Sequence, residues 1–282
     1  MDMTSPFSDR ISTVSGHSLP PMGLGCYRAQ GSEVIRAICW AVEAGYRFFD
    51  TASRYGNEAQ VGEGLRRCGI SREKIYLVTK LWPTQYQDPL GGLEDSLRAL
   101  NCDYVDCYLL HWPGTDRSLR LHAYEALLNA RERGLCRGIG VSNFLPAHLR
   151  ELIEVFGEAP VMDQVELNPW YPQNETAAFC RDHNIAVCAW GPILRGHLGE
   201  VPLLLQMAER RGRTPAQIVL RWHLQKGSVP IPKSTDRGRI FENADLFHFS
   251  LSDEEMKKLD ALENGRHFGR DPLIYNGEDV TV

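Results

Sequence analysis

Short apolar runs alternate with longer segments of helical periodicity along most of the chain. The runs that we predict to be strands comprise residues 22–26, 48–50, 75–80, 104–111, 138–141, 161–166, 186–190 and 229–232. The segments with helical spacing between them include residues 33–44, 59–67, 93–100, 121–133, 146–156, 175–183 and 201–211. Strands that alternate with helices form a parallel sheet. A count of eight such strands favours a closed (β/α)8 TIM barrel, an α/β fold, over an open doubly wound sheet.

Capping signals and turn residues mark further element boundaries. The segment Thr214-Pro215-Ala216-Gln217 has a cap, a proline at the first helical position and a glutamine placed for a capping box. The segment Ser252-Asp253-Glu254-Glu255 begins a late helix in the same way. Before the first barrel strand, residues 11–14 and 18–22 flank a Ser-Gly-His turn, which predicts a short hairpin.

An open dinucleotide-binding sheet would require a G-x-G-x-x-G fingerprint after the first strand. The segment Gly23-Leu24-Gly25 begins like one, but position 28 is arginine. The segment Gly138-Ile139-Gly140 runs on to Asn143 and also fails. The chain shows no internal repeat, low-complexity tract or clear linker, so we predict one domain over residues 1–282.

Composition and charge exclude several classes of partner. Of the 282 residues, 43% are hydrophobic and 24% are charged, which is ordinary for a globular protein. The net charge of −5 argues against nucleic-acid binding, because there is no basic excess to displace phosphate counterions. No segment approaches the roughly 18 apolar residues of a membrane span, and residues 1–10 lack the apolar stretch of a signal peptide. We therefore expect a cytoplasmic protein without membrane or nucleic-acid partners.

The cysteines indicate no metal or redox centre. All eight are scattered along the chain without a C-x-x-C pair. Most lie in apolar runs, where cysteine behaves as a small hydrophobic residue. We expect no metal site.

Four polar residues stand at the predicted ends of consecutive strands, where α/β barrels carry their chemistry. Asp50 ends the second strand and Tyr55 follows it, whereas Lys80 ends the third strand and His111 the fourth. Each has an ordinary structural explanation when taken alone, as a cap, a surface aromatic, a strand-end lysine or a core histidine. Together they could deliver a proton to a carbonyl oxygen.

The chemistry of this group is coherent. A free tyrosine titrates near pH 10, and an ammonium about 4 Å away attracts the phenolate by roughly 4 kcal/mol at an effective dielectric constant near 20. We therefore expect Lys80 to lower the pKa of Tyr55, by at most about three units. Asp50 would hold Lys80 charged, and His111 would orient the substrate oxygen. None of the four is a hydride donor, so a redox reaction requires a bound cofactor.

Two other classes of function remain open at this point. A barrel aldolase would use Lys80 as a Schiff base, which requires a lysine of depressed pKa. A non-catalytic barrel would bind a cofactor or a partner without turnover.

A long series of motifs resembles the aldo-keto reductase superfamily, and most closely its short prokaryotic branch of 2,5-diketo-D-gluconate reductases. Its signature segment is residues 45–58, GYRFFDTASRYGNE, and the resemblance as a whole extends in order from about Gly16 to Asp260. Its further motifs are TKLW at 79–82, LHWP at 110–113, GVSNF at 140–144, QVELNP at 164–169, WGP at 190–192 and IPKS at 231–234.

This resemblance implies a (β/α)8 barrel whose bottom is closed by the N-terminal hairpin, with NADPH extended across the top. It implies that Tyr55 is the proton donor, that Lys80 and Asp50 support it, and that His111 orients the carbonyl. The implied contacts of the nicotinamide carboxamide and ring are Ser142, Asn143, Gln164 and Trp190. The implied pyrophosphate loop is Gly191, Pro192 and Ile193. The implied contacts of the 2′-phosphate and adenine are Lys233, Ser234, Thr235, Arg239, Glu242 and Asn243.

The substrate and the cofactor preference are less closely defined by these motifs. Tyr27, Trp82 and Trp112 match positions that line the substrate pocket, and aromatic walls suit small carbonyl compounds. We expect 2-oxoaldehydes, aromatic aldehydes and keto-sugars as substrates, an open site with short loops, and a monomeric enzyme. Asp236 departs from the basic or hydroxyl residue of many relatives, and a carboxylate there would weaken the preference for NADPH over NADH.

Overall fold

The computed structural model describes residues 11–13 and 16–278. A short antiparallel hairpin, β1 (Ile11–Ser12) and β2 (Ser18–Leu19), precedes the main sheet. The predicted hairpin is thereby confirmed, except that residues 14 and 15 lie outside the described part. The main sheet has eight parallel strands in sequential order: β3 (Leu24–Gly25), β4 (Phe48–Asp50), β5 (Tyr76–Leu81), β6 (Val105–Leu110), β7 (Cys136–Ser142), β8 (Met162–Glu166), β9 (Ala186–Trp190) and β10 (Val229–Pro230).

Helices connect the strands on the outside of the sheet. Within the described residues they are α1 (Gly31–Glu43), α2 (Glu58–Arg67), α3 (Pro89–Leu100), α4 (Arg117–Glu132), α5 (Pro146–Phe156), α6 (Asn174–Asp182), α7 (Pro202–Arg211), α8 (Pro215–Gln225), α9 (Arg237–Ala244) and α10 (Asp253–Asp260). Both predicted capping boxes are confirmed, because Thr214 and Ser252 each exchange hydrogen bonds with the residue three positions on. In the described part of the chain, no helix is both long and apolar enough to cross a membrane.

The sheet closes on itself, which confirms the predicted barrel. The N–H groups of Gly23 and Gly25 donate to the carbonyl oxygens of Pro230 and Pro232, at 3.0 and 3.1 Å. A Cβ atom on Gly25 would lie 2.8 Å from the backbone oxygen of Ile231. Glycine at this position therefore permits the close backbone contact that joins the first and last barrel strands.

Apolar side chains fill the barrel interior below the strand ends. Phe48, Val78, Leu109 and Met162 belong to one buried cluster, and Leu19 from the hairpin packs into the same cluster. The hairpin thus covers the amino-terminal end of the barrel, as expected. The carboxyl ends of the strands, at the opposite face, are left to carry polar side chains. That the full 282 residues form one domain stays a prediction.

Candidate active site

The structure brings the four predicted strand-end residues together at the carboxyl face of the barrel. Lys80 is fully buried, and its Nζ atom lies 2.8 Å from the carboxylate of Asp50. The same Nζ atom lies 3.2 Å from the hydroxyl of Tyr55. The ring of His111 stands edge-on to the ring of Tyr55, with centroids 5.6 Å apart. One ammonium therefore connects a carboxylate to a phenol beside an imidazole.

Local structure explains why Tyr55 points into this group. It ends a single 3-10 turn, Ser53–Tyr55, which Gly56 terminates in the left-handed conformation at φ 64°. The side chain of Gln30 donates to the carbonyl oxygen of Tyr55 at 2.8 Å. Buried Asn57 donates two hydrogen bonds to the loop after β3 and accepts one from Thr51. The turn is therefore held from both sides.

Burial and neighbouring charges set the protonation of the pair. Burial on its own lowers the pKa of Lys80, but the charges and hydrogen bonds of Asp50 and Tyr55 together outweigh it, and the net pKa of Lys80 is raised. The net pKa of Tyr55 is raised to about 12, because burial raises it and the lowering effect of Lys80 only partly offsets this. The expected lowering by Lys80 is therefore present, but it does not bring the net pKa of Tyr55 below that of a free tyrosine. The pairwise attraction is present, but the loss of water around the phenol is larger.

His111 is a neutral imidazole in this setting. Burial, reinforced by Lys80 and Arg54, lowers its pKa well below the ordinary value. Its Nδ1 atom is buried without a hydrogen-bond partner in the described ranges. The indole of Trp82 stands edge-on to the imidazole, with ring centroids 4.8 Å apart. A neutral ring held this way can donate one N–H to a ligand oxygen.

A second set of polar side chains lies on the next strands around the barrel. Gln164 donates to Oδ1 of Asp50 at 2.7 Å, and Ser142 donates to the backbone oxygen of Gln164 at 2.7 Å. Asn143, in the left-handed region at φ 63°, donates to the backbone oxygen of His111 at 2.9 Å. The indole N–H of Trp190 donates to Asn143 Oδ1 at 2.9 Å. The four residues predicted to contact a nicotinamide therefore share one network with the first group.

The loop after β9 carries the predicted pyrophosphate contacts, Gly191, Pro192 and Ile193. Gly191 is left-handed at φ 63°, and the backbone oxygen of Pro192 lies 3.3 Å from Nε2 of buried His223. Farther along this loop, the guanidinium of Arg195 lies 5.0 Å from the centroid of the Trp190 ring. The loop therefore begins beside the Trp190 indole, at the mouth of the barrel.

The start of α9 holds the predicted phosphate contacts. Lys233 and Arg239 are exposed and form no ion pair with any residue in the described ranges. Asp236 caps the helix, because its Oδ1 atom accepts from the backbone N–H of Arg239 at 2.8 Å. By contrast Arg237 pairs with Glu43 at 2.8 Å. Ser234, Thr235, Glu242 and Asn243 also lie in this segment, with Ser234 and Asn243 buried.

Aromatic side chains line the mouth of the barrel beside Tyr55 and His111. The ring of Tyr27 lies 5.0 Å from that of Tyr55, and Trp82 and Trp112 both contact Tyr275 at their edges. Tyr275 belongs to the C-terminal tail, which folds back over the mouth. The expectation of an open site is therefore wrong, since the tail covers part of the entrance.

Two positions that line the mouth of the barrel were missed from the sequence. A cavity of about 250 Å³ lies between Asn143, Trp190 and the tail residues Gly269 and Arg270, with Glu166 on its wall. The missed positions are Glu166 and Tyr275. A carboxylate two residues after Gln164 on the same strand was a usable signal for Glu166, whereas Tyr275 had none.

Comparison with known proteins defines the class to which this fold and site belong. The family described as "Aldo/keto reductase family" matches residues 21–264. An aldo-keto reductase of Mycolicibacterium smegmatis is 40% identical over 271 residues, covering 95% of this chain and 98% of the relative. A methylglyoxal reductase of Escherichia coli K12 is 39% identical over 269 residues, covering 95% and 98%. A solved structure of a Gox0644 variant in complex with NADPH superposes with a TM-score of 0.89 at 36% identity, covering 94% of this chain and 97% of the other.

The chain therefore belongs to the aldo/keto reductase family and is an oxidoreductase of that family. The cytoplasmic location and the monomeric state stay predictions.

Proposed function

We propose that this enzyme reduces small aldehydes and ketones to alcohols with NADPH, with Tyr55 as the proton donor. The observation that carries the proposal is the buried Lys80 ammonium, which lies within hydrogen-bond distance of both the Asp50 carboxylate and the Tyr55 hydroxyl. The reduced nicotinamide supplies the hydride when the cofactor is bound.

The chain's own residues account for the proton and for the orientation of the substrate. Tyr55 and neutral His111 both present hydrogen-bond donors to a carbonyl oxygen at the mouth of the barrel. Because the pKa of Tyr55 is about 12, the phenol keeps its proton until negative charge develops on the substrate oxygen. Lys80 then stabilises the phenolate, and Asp50 keeps Lys80 charged and directed at Tyr55.

The residues around the mouth fit a dinucleotide cofactor. The amide and hydroxyl groups of Ser142, Asn143 and Gln164 can hold a carboxamide, and the Trp190 indole offers a face for the ring. Lys233 and Arg239 carry charges without partners in the described ranges, which suits a phosphate. Glu242 and Asn243 would contact the adenine, and Gly191, Pro192 and Ile193 the pyrophosphate.

NADPH is proposed over NADH because of the two cations near the start of α9. The relative of known structure that binds NADPH supports this choice. Asp236 weakens the preference for NADPH less than its charge suggests, because its carboxylate accepts a hydrogen bond as the cap of α9.

The proposed substrates are 2-oxoaldehydes, aromatic aldehydes and keto-sugars. Trp82, Trp112 and Tyr27 form an aromatic wall beside Tyr55 and His111, which suits a small molecule with one polar end. The methylglyoxal reductase of Escherichia coli K12 supports the first of these classes.

The test is an NADPH-consumption screen over a 2-oxoaldehyde, an aromatic aldehyde, a keto-sugar and a simple ketone. Wild-type protein should oxidise NADPH with at least one of them, and the Tyr55→Phe protein serves as the inactive control. Equal rates for the two proteins on every compound would overturn the proposal.

A borohydride arm of the same screen tests the aldolase alternative. The raised pKa of Lys80 keeps the amine protonated, so no reduced adduct should form on Lys80 with any carbonyl compound.

A further inference from the structure

The last described part of the chain, residues 268–277, crosses the barrel mouth as a strap. Its first end is held by Glu166, the last residue of β8, which is 3% exposed. The two carboxylate oxygens of Glu166 accept hydrogen bonds from the backbone N–H of Phe268 at 2.9 and 3.0 Å, and from that of Gly269 at 2.7 Å. The start of the strap is thus fixed to a barrel strand by one buried carboxylate.

The other end of the strap is held on the opposite side of the mouth. The indole N–H of Trp82 donates to the backbone oxygen of Gly277 at 2.9 Å. Tyr275 lies against Trp82 and Trp112, with ring centroids 6.1 and 4.9 Å away. The strap therefore has two attachments with the entrance of the site between them.

Gly269 brings the strap into direct contact with Trp190. A Cβ atom at this position would lie 2.9 Å from Cη2 of Trp190 and 3.1 Å from Oε2 of Glu166. Glu166 and Trp190 are also register partners across β8 and β9. The carboxylate, the glycine and the indole therefore pack as one unit, with no room for a larger side chain.

We propose that Glu166 is a positioning residue that fixes the strap against the Trp190 indole and thereby controls how long NADPH remains bound. The inference rests on the proposed function, because Trp190 is the proposed stacking partner of the nicotinamide. Gln164, the proposed carboxamide contact, lies two residues before Glu166 on the same strand. A displacement of the strap would therefore change the surroundings of both proposed nicotinamide contacts.

Burying a carboxylate such as Glu166 only to attach the strap would be energetically unfavourable. Burial raises the pKa of this carboxyl, which means that the charged form is penalised in the folded protein. An apolar contact could attach a chain terminus without that penalty. Hydrogen bonds from N–H groups to a carboxylate are instead directional and strong, which suits the fixing of a position.

Two variants disturb the contact from opposite sides. Glu166→Gln replaces one acceptor oxygen with an N–H donor that faces other N–H donors. Gly269→Ala leaves the carboxylate in place and adds a methyl group against the indole. Glu263→Gln is the matched control, because Glu263 is exposed and lies just before the strap.

The first measurement is limited trypsin digestion without cofactor, well below the melting temperature. Arg266 and Arg270 are exposed and flank the two N–H groups that Glu166 holds. Cleavage after these arginines should be about tenfold faster or more in Glu166→Gln and Gly269→Ala than in wild type and in Glu263→Gln.

The second measurement is the dissociation rate of NADPH, followed by stopped-flow tryptophan fluorescence. Both variants should release NADPH about tenfold faster than wild type, and the double variant should be no faster than the faster single one. Faster cleavage with unchanged release would overturn the proposal, as would unchanged cleavage. A wild-type protein that does not bind NADPH would instead overturn the proposed function, while the digestion would still report on the attachment of the strap.

Discussion

The side-chain amide of Gln164 donates a 2.7 Å hydrogen bond to Oδ1 of Asp50, although 114 positions separate the two residues in the chain. Asp50 also accepts from Lys80. The proposed carboxamide contact and the proposed proton-delivery group are therefore joined at one carboxylate. Substitutions on either side of this hydrogen bond should affect both cofactor binding and turnover.

Tyr55→Phe removes the proposed acid and little else. We expect kcat to fall by about 10²–10⁴, the usual contribution of a positioned acid, while NADPH binding is nearly unchanged. Steady-state kinetics and a fluorescence titration measure the two quantities. Tyr104→Phe is the control, because Tyr104 has an unpartnered hydroxyl in the described ranges and precedes β6 at the opposite end of the barrel. A variant with more than half the wild-type kcat, under conditions where chemistry is rate-limiting, would rule out the role of Tyr55.

Trp190 should report cofactor binding directly. If the indole stacks on the nicotinamide, NADPH quenches tryptophan fluorescence, and Trp190→Ala removes most of the quench and weakens binding. Trp40→Phe, on the outer helix α1, should keep the quench. A titration in which Trp190→Ala quenches like wild type would place the indole away from the ring.

Arg239 and Asp236 test the cofactor preference. Charged hydrogen bonds contribute about 1.5–3 kcal/mol each, so Arg239→Ala should weaken NADPH on the order of tenfold or more and NADH little. Arg237→Ala is the matched control, because Arg237 is already paired with Glu43. The measurement is the dissociation constant of each cofactor. An equal loss of affinity for NADPH and NADH would show that Arg239 does not contact the 2′-phosphate.

Asp236→Asn should tighten NADPH, most visibly at low salt, where charge repulsion is least screened. Asparagine is as good a helix cap as aspartate, so the start of α9 should be retained. The same dissociation constants measure this effect at two salt concentrations. A gain that is equal for NADH would mean that the substitution acts through the helix and not through the phosphate.

Asp163 should make stability depend on pH. It is fully buried, its Oδ2 atom has no hydrogen-bond partner in the described ranges, and burial raises its pKa well above the ordinary value. The unfolded carboxyl ionises near pH 3.9. Above that pH the folded state holds the extra proton, so the free energy of unfolding falls as the pH rises towards the folded pKa.

Asp163→Asn should therefore stabilise the protein at pH 7 and make little difference near pH 4. Each kcal/mol gained corresponds to about 2–4 °C in Tm for a domain of about this size. Thermal unfolding of wild type, Asp163→Asn and the exposed control Asp182→Asn at several pH values measures the effect. A Tm difference between Asp163→Asn and wild type that does not grow with pH would contradict the shifted pKa.

Much of the fold could be predicted because barrel strands are buried on both faces and read as continuous apolar runs. The run at β7 was predicted too short, since exposed Arg137 interrupts it where the strand begins. The start of α3 was also missed. Two glycines, which are poor helix formers, stand in its first turn. One of them, Gly92, packs closely against β5, since a Cβ atom there would lie 2.5 Å from Cδ1 of Leu81.

The site was predictable in part. Residues at the ends of strands converge because the strands are parallel, so Asp50, Lys80 and His111 could be grouped from their positions alone. The strap and the net pKa of Tyr55 could not be derived that way. The strap depends on contacts between Glu166 and residues about a hundred positions away. The net pKa of Tyr55 depends on how much water folding removes from around the phenol.

The closure of the barrel at Gly25 has a consequence for the synthesis of the protein. The first barrel strand acquires its last partner only when Pro230 and Pro232 are available. Until then β3 presents an unpaired edge, and such edges invite association with other chains. Contacts between distant parts of a sequence also form slowly. The nascent chain thus carries an exposed strand until these residues have been synthesised, and a chaperone has most to protect before that point.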